Sequence, residues 1–312
     1  MRFCLMAEGQ EGITWEQWLA LAGACERLGF EALFTSDHYL SLVGAADRGS
    51  ADAWTLLAGL AACTERLRLG TLVSPVTFRL PVVLAKAATT VDRLSEGRVE
   101  IGMGAGWWEE EHRTHGFPFP PAAERMEMLE EQLEIVHGLL TEETFSFESR
   151  HYALEDCRFA PKPVQRPHPP IIVGGSGGPW MARLVARWAD EFNTVGGTPE
   201  QVRERIGRVR DAVHAAGRDQ STVTASFMTW FYIGRDDAEV RRRIEAAKAL
   251  DPELDDGWIR DECIAGTPGQ AAERIAEYAA AGVQRMMLNH SFFDDLEPVE
   301  LLAAEVFPKV GA

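Results

Sequence analysis

The chain has 312 residues, of which 46% are hydrophobic and 25% are charged, a balance typical of a globular protein with a large core. A formal net charge of −17 argues against binding to nucleic-acid phosphates, and no apolar run reaches the length of a membrane span. Five scattered cysteines without a C-x-x-C pair indicate reduced thiols. We therefore expect a cytoplasmic protein that acts on a small molecule, without a nucleic-acid or membrane partner.

Short apolar strands alternate with amphipathic helices along the whole chain. The predicted strands are 3–6, 32–35, 67–73, 99–103, 171–173, 192–195, 223–233 and 283–288. The predicted helices are 14–28, 51–64, 81–94, 122–140, 180–189, 199–216, 237–249 and 268–281. Eight strand–helix pairs predict an α/β fold, a single (β/α)₈ TIM-barrel domain over residues 1–312. A doubly wound sheet is the alternative, because strand order cannot be read from one sequence.

Residues 141–170 interrupt this alternation. Two short apolar stretches at 144–147 and 151–154 predict a hairpin, and a proline-rich stretch follows at 161–170. Segments of this length inserted into a barrel commonly form lids or interface elements. We expect this insertion to precede the fifth strand of the barrel.

The first candidate site is the pair Asp37-His38, which directly follows the predicted second strand. Barrels keep their active sites at the carboxyl ends of the strands, and histidine titrates near neutral pH. The pair is therefore a candidate for proton or hydride chemistry, and the adjacent Tyr39 is a candidate for the substrate pocket. A turn acid beside a surface histidine is the alternative interpretation.

Alternating glycines end the predicted fourth strand at Gly102, Gly104 and Gly106. This G-x-G-x-G spacing differs from the dinucleotide fingerprint G-x-G-x-x-G, which excludes a Rossmann site. Missing side chains would let a flat ring lie against the backbone of Gly104, Ala105 and Gly106. Close backbone packing in the mouth of the barrel explains the spacing equally well.

A second glycine-rich turn, Gly174-Gly175-Ser176-Gly177-Gly178, leads from the fifth strand into a helix. Backbone amides at a helix N-terminus bind anions, and this turn suits a single phosphate such as that of a flavin-type cofactor. A flexible turn is one alternative. The turn also matches the G-x-S-x-G of serine hydrolases with His290 as base, although no HGGG-type oxyanion segment is present.

Glutamates and histidines follow the first glycine run at 109–115. Glutamate and histidine can bind a metal, but the acids are adjacent and no second cluster completes a ligand set. We therefore predict no metal and expect a polar loop over a pocket. Trp107, Trp108 and Glu109 are candidates to line that substrate pocket.

Taken together, segments 28–38, 69–75, 88–98, 102–107 and 163–175 resemble the luciferase-like flavin-dependent family. Within that family they resemble the branch that uses the deazaflavin coenzyme F420. The resemblance covers nearly the whole chain. It implies a TIM barrel, a homodimer and an F420 cofactor, with FMN as the alternative cofactor.

The resemblance also implies roles for individual residues. Asp37 and His38 would lie beside the reactive ring of the cofactor. A non-prolyl cis peptide would fall at Leu72-Val73, with Val73-Ser74 as the near alternative, and would back the ring as a bulge. The turn 175–178 would hold the cofactor phosphate.

One position departs from the family pattern. Sugar-phosphate dehydrogenases of the F420 branch carry a glutamate directly after the glycine loop, where this chain has Trp107, and Glu109 stands two residues further on. A sugar-phosphate substrate is therefore not expected, and the substrate class stays open.

The implied function is hydride transfer between F420 and a small organic substrate. His38 would donate or accept a proton, and Asp37 would orient His38 or bind the edge of the ring. An FMN-dependent monooxygenase on the same barrel and a non-catalytic flavin-binding barrel are the alternatives.

Overall fold

The structure is a computed structural model that describes residues 1–43 and 48–311. Its strands are β1 (Arg2–Ala7), β2 (Ala32–Thr35), β3 (Arg68–Thr71), β4 (Ser74–Pro75), β5 (Val99–Gly104), β6 (Phe145–Glu148), β7 (Ala153–Cys157), β8 (Ile171–Gly174), β9 (Glu191–Val195), β10 (Thr224–Ile233), β11 (Ile264–Gly266) and β12 (Arg285–Asn289). Parallel pairing runs through β1, β2, β3, β5, β8, β9, β10 and β12, and β12 pairs back with β1. This closed cycle confirms the predicted (β/α)₈ barrel and excludes the open sheet.

Helices surround the barrel on its outer face. They are α1 (Trp15–Leu28), α2 (Ala53–Cys63), α3 (Pro81–Leu94), α4 (Glu109–His115), α5 (Ala122–Thr141), α6 (Pro179–Trp188), α7 (Pro199–Ala215), α8 (Asp237–Leu250), α9 (Asp256–Glu262), α10 (Pro268–Ala280) and α11 (Glu297–Leu301). Capping boxes at Thr14, Thr198 and Thr267 start α1, α7 and α10 by pairing free backbone amides with side chains. No helix in the described ranges is both long and apolar enough to cross a membrane.

The predicted hairpin is present, since β6 and β7 pair in antiparallel fashion between α5 and β8. The polar loop expected at 109–115 is wrong, because α4 covers these residues. Three glutamates occupy the first turn of α4, where their negative charges interact favourably with the positive end of the helix dipole. Gly116 ends the helix with a φ of 73°. The short elements β11 and α9 were also not predicted.

The two ends of the barrel differ in chemistry. At the amino end, buried Arg285 at the start of β12 donates to Glu100 at 2.6 Å and to Glu191 at 2.9 Å. Above this buried ion-pair cluster, apolar side chains fill the interior of the barrel, namely Cys4, Met6, Ala32, Phe34, Leu72, Ile172, Met228 and Met287. The carboxyl end is the face where barrels carry chemistry, and the loops described below all leave from it.

Candidate functional site

A bulge follows β3 at the carboxyl end of the barrel. The peptide bond Leu72-Val73 is cis, as predicted. The Val73 side chain occupies the space beside two of the predicted cofactor-binding glycines: a Cβ added at Gly104 would lie 2.6 Å from Val73 Cγ2, and one at Gly174 would lie 3.0 Å from Val73 Cγ1. These glycines therefore make room for the bulge, which supports the packing interpretation of the glycine run.

Asp37 connects the loop after β2 to this bulge. The hydroxyl of Ser74, one residue beyond the cis bond, donates to the Asp37 carboxylate at 2.6 Å, and Arg79 pairs with the same oxygen at 2.5 Å. Burial raises the pKa of Asp37 above its ordinary value, while Arg79 and Ser74 oppose that rise. Asp37 is thus a buried anchor, and its carboxylate is engaged by Arg79 and Ser74.

His38 is oriented by Glu111 of α4, a residue that the sequence did not single out. The Nδ1 atom of His38 lies 2.8 Å from Glu111 Oε2. The other carboxylate oxygen accepts the backbone amides of Tyr39 at 2.5 Å and Leu40 at 3.2 Å. The expectation that Asp37 orients His38 is replaced by this contact, because only a tertiary fold brings two residues 73 positions apart together.

The Glu111 contact sets the protonation of His38. Burial by itself lowers the pKa of His38, but the hydrogen bond and the charge of Glu111 outweigh it and raise this pKa above its ordinary value. Burial works against ionisation of Glu111 too, yet His38 and the two backbone amides hold its pKa below the ordinary value. Since the carboxylate accepts the proton of Nδ1, the neutral imidazole presents Nε2 as a proton acceptor.

Two tryptophans flank the imidazole of His38. The rings of Trp107 and Trp108 each lie 6.0 Å from it, in edge-to-face arrangements. Trp107 is 61% exposed, so its indole is available to a bound molecule. Glu109 is also exposed, at the first position of α4.

The remaining polar groups near His38 contact one another. Tyr39 donates its hydroxyl proton to Asp52 at 3.0 Å, and its ring packs at 5.4 Å from Phe78. His112 lies 2.6 Å from both the Thr77 hydroxyl and the Trp108 carbonyl oxygen through its two ring nitrogens. Tyr39 therefore belongs to a packed cluster behind His38, and His112 is engaged within the protein.

The second glycine-rich turn leads into α6. Gly178 begins this helix without a capping side chain, so the first-turn amides face outward without intrahelical acceptors. Arg208 of α7 donates to the Gly177 carbonyl oxygen at 2.7 Å, which brings a cation that sequence reasoning missed. Gly175 donates its amide to Asn193 at 3.0 Å, and Ser176 is exposed. The turn thus combines free amide donors with the positive charge of Arg208, the two kinds of group that attract an anion.

A cavity of about 450 Å³ lies between strand β10, the loops after β1, β2 and β12, and the helices α8 and α9. Its lining includes Trp230, Tyr232, Trp258 and His290. The side chain of His290 is buried, and its Nε2 has no hydrogen-bond partner within residues 1–43 and 48–311. Burial lowers the pKa of His290 to about 4, so the side chain is neutral at pH 7.

Comparison with known proteins places these features in context. The family model described as luciferase-like monooxygenase matches residues 1–251. An FMNH₂-dependent dimethylsulfone monooxygenase of Pseudomonas putida is 28% identical, over 93% of this chain and 86% of that protein. An F420-dependent glucose-6-phosphate dehydrogenase of Microbacterium testaceum is 30% identical, over 91% of this chain and 90% of that protein.

The fold has a matching likeness among solved structures. An F420-dependent secondary alcohol dehydrogenase in complex with an F420-acetone adduct superposes with a TM-score of 0.86. The alignment covers 100% of this chain and 99% of that one at 20% sequence identity, so the likeness concerns the fold.

Proposed function

This chain belongs to the luciferase-like monooxygenase family, and from that premise we propose that it is an oxidoreductase that transfers a hydride between coenzyme F420 and a small organic substrate. The observation that carries the proposal is the geometry of His38. Its imidazole is nearly buried, its Nδ1 is held by Glu111, and its Nε2 remains as a proton acceptor. A two-electron carrier that moves a hydride leaves one proton for the protein to move.

The residues at the mouth of the barrel fit such a cofactor. The bulge at Leu72-Val73 and the apolar interior below it would support a flat ring. The Oδ1 atom of Asn289, at the end of β12, is buried without a partner in the described part of the chain and could accept a ring donor. The α6 N-terminus with Arg208 would hold the phosphate. When bound, the deazaflavin supplies a ring carbon that accepts or returns a hydride.

Each residue of the site has a defined task in this proposal. His38 exchanges one proton with the substrate at Nε2, and Glu111 stabilises the imidazolium that forms when His38 accepts it. Asp37 ties the His38 loop to the bulge through Ser74. Trp107 and Trp108 flank the imidazole and offer apolar surface to a substrate bound next to it.

An FMN-dependent monooxygenase is the second candidate, because the relative from Pseudomonas putida is named as FMNH₂-dependent and spans nearly the whole chain. Titration of the purified apoprotein with F420 and with FMN, followed by tryptophan fluorescence, distinguishes the two. We expect saturable binding of F420 that is clearly tighter than binding of FMN. Tight binding of FMN with no binding of F420 would reverse the choice.

A variant separates binding from chemistry. His38→Gln keeps a polar side chain of similar reach and removes the titratable nitrogen. We expect the affinity for F420 to stay within about twofold and turnover to fall by at least ~10²-fold, the range of general acid–base contributions. Unchanged turnover in this variant would remove His38 from the chemistry.

A further inference from the structure

The cavity beside β1, β10 and β12 has the size of a small-molecule site. Its volume of about 450 Å³ lies within the range of such sites. In the order of the barrel, β1 lies four strands from β8, which bears the proposed phosphate turn. The cavity and the phosphate turn therefore lie on opposite sides of the mouth.

Two sets of contacts join this cavity to the His38 loop and to the bulge. Ser36, two residues before His38, donates to Gln10 at 2.5 Å, and Gln10 donates to Glu8 at 3.0 Å. Gln10 and Glu8 both line the cavity. Trp230 packs on one side against the interior cluster that also contacts Val73, and on the other side against Trp258 at 5.1 Å. A molecule in the cavity thus lies next to the proposed ring site.

The lining of the cavity combines apolar side chains with carboxylates. Apolar and aromatic side chains form the walls, among them Trp230, Tyr232, Leu254, Trp258 and Phe293. Five carboxylates line it as well: Glu8, Glu11, Asp251, Glu253 and Asp255. Of the described lining residues, only Arg48 carries a positive charge, and it is paired with Glu11 at 3.1 Å.

This composition excludes one class of ligand. A phosphate, sulfonate or carboxylate in the cavity would lose its hydration and meet carboxylates in place of cations. The neutral His290 offers a single unpartnered nitrogen for a hydrogen bond. Resting on the proposed function, we propose that the substrate is an uncharged, largely apolar organic molecule that binds in this cavity, and that the carboxylates of the lining reject anions.

Two fluorescent probes of one scaffold test the charge rule on the apoprotein. N-phenyl-1-naphthylamine is uncharged, and 8-anilino-1-naphthalenesulfonate adds a sulfonate to the same ring system. We expect saturable one-to-one binding of the uncharged probe, with at least tenfold weaker binding of the sulfonate. Equal or tighter binding of the sulfonate would overturn the inference.

Three variants place the probe. Trp258→Ala removes one wall, and we expect it to weaken binding of the uncharged probe at least tenfold. Glu253→Lys reverses an exposed charge of the lining. At low salt it should reduce the ratio of the dissociation constants of the sulfonate and the uncharged probe by about fivefold. Glu245→Lys is the control: it reverses an exposed charge on α8 outside the cavity and should leave this ratio unchanged. The proposed binding site would be contradicted if a folded Trp258→Ala bound the uncharged probe with wild-type affinity and Glu253→Lys left the ratio of dissociation constants unchanged.

The same variants separate this inference from the proposed function. F420 affinity in Trp258→Ala and Glu253→Lys should remain within about twofold of wild type, since neither residue belongs to the proposed cofactor site. Failure of the wild-type protein to bind F420 refutes the proposed function, whatever the probes do. Normal F420 binding together with probe binding that ignores charge and Trp258 refutes the substrate inference alone.

Discussion

Replacing Glu111 by glutamine tests how the fold sets the chemistry of His38. In the wild type, one carboxylate oxygen accepts the amides of Tyr39 and Leu40, and the other receives Nδ1 of His38. A glutamine would keep its carbonyl oxygen on the two amides and turn its NH₂ group toward Nδ1. Nδ1 must then accept, so the proton moves to Nε2 and the imidazole loses its outward-facing acceptor.

The size of the effect follows from the contacts. Glu111→Gln keeps two backbone hydrogen bonds and loses one charge-assisted bond at a buried site, worth about 1.5–3 kcal/mol. The folded-state pKa of His38 is raised, so its stabilising contribution is fully present below its ordinary pKa and disappears as pH rises through the folded-state value. The loss of unfolding free energy in Glu111→Gln should therefore be largest at mildly acidic pH, where His38 is protonated and Glu111 is still ionised because its folded-state pKa is lowered. The loss should shrink in alkali, as His38 loses its proton, and in strong acid, as Glu111 gains one.

Imidazole NMR and urea unfolding measure both consequences. The titration midpoint of His38, assigned with the His38→Gln variant, should move to lower pH in Glu111→Gln, and its ¹⁵N shifts should report the Nε2–H tautomer. Glu110→Gln is the matched control. Glu110 is exposed, and its ion pair with Arg113 is long, at 4.0 Å. The substitution should therefore change the unfolding free energy by less than about 0.5 kcal/mol. An unchanged midpoint in Glu111→Gln would refute the reasoning.

Three further predictions concern the bulge after β3, the glycine-rich turn before α6 and the buried His290. Gly104→Ala places a Cβ 2.6 Å from Val73 and should lower the unfolding free energy by about 1–3 kcal/mol in a urea titration, while Gly207→Ala, where nothing lies within 4 Å on α7, should raise it by about 0.5–1 kcal/mol. Arg208→Ala should weaken F420 binding by about tenfold in calorimetry and leave the affinity for a deazaflavin without phosphate unchanged; equal losses for both would remove Arg208 from the phosphate site. The pKa of His290 is lowered to about 4 from 6.5, so its stabilising effect is present above pH 6.5 and is lost as pH falls toward 4. His290→Gln should remove up to about 1.4 kcal/mol per pH unit from the acid slope of the unfolding free energy, and an unaltered slope would contradict the neutral buried histidine.

Local patterns predicted most of the barrel. The predicted strand 32–35 and helix 81–94 coincide with β2 and α3, because apolar periodicity and flanking breakers act over a few residues. The elements that escaped prediction are short: β4 spans two residues, β11 three and α11 five, and α4 and α9 span seven each. Segments of that length carry too few residues to display a period. The homodimer and the cytoplasmic location stay predictions.

The candidate site was predictable only in its chain-local parts. Asp37-His38 could be located because it follows a strand, and Leu72-Val73 because of the resemblance around it. The partners could not be located, since Arg79 is 42 residues from Asp37 and Glu111 is 73 residues from His38. The cavity is assembled from segments that are far apart in the sequence, and its tryptophans lie within β10 and α9, so they resemble ordinary core residues in the sequence.

Transfer of deuterium tests the central claim most directly. The protein with bound F420 is incubated with uncharged alcohols deuterated at the carbon that bears oxygen, and the cofactor is then analysed by mass spectrometry. The account predicts that at least one alcohol bleaches the visible absorbance of the deazaflavin and leaves deuterium on its ring, and that this transfer is at least ~10²-fold slower in His38→Gln. Turnover that requires FMNH₂ and oxygen, with no deuterium reaching the deazaflavin from any alcohol, would contradict it.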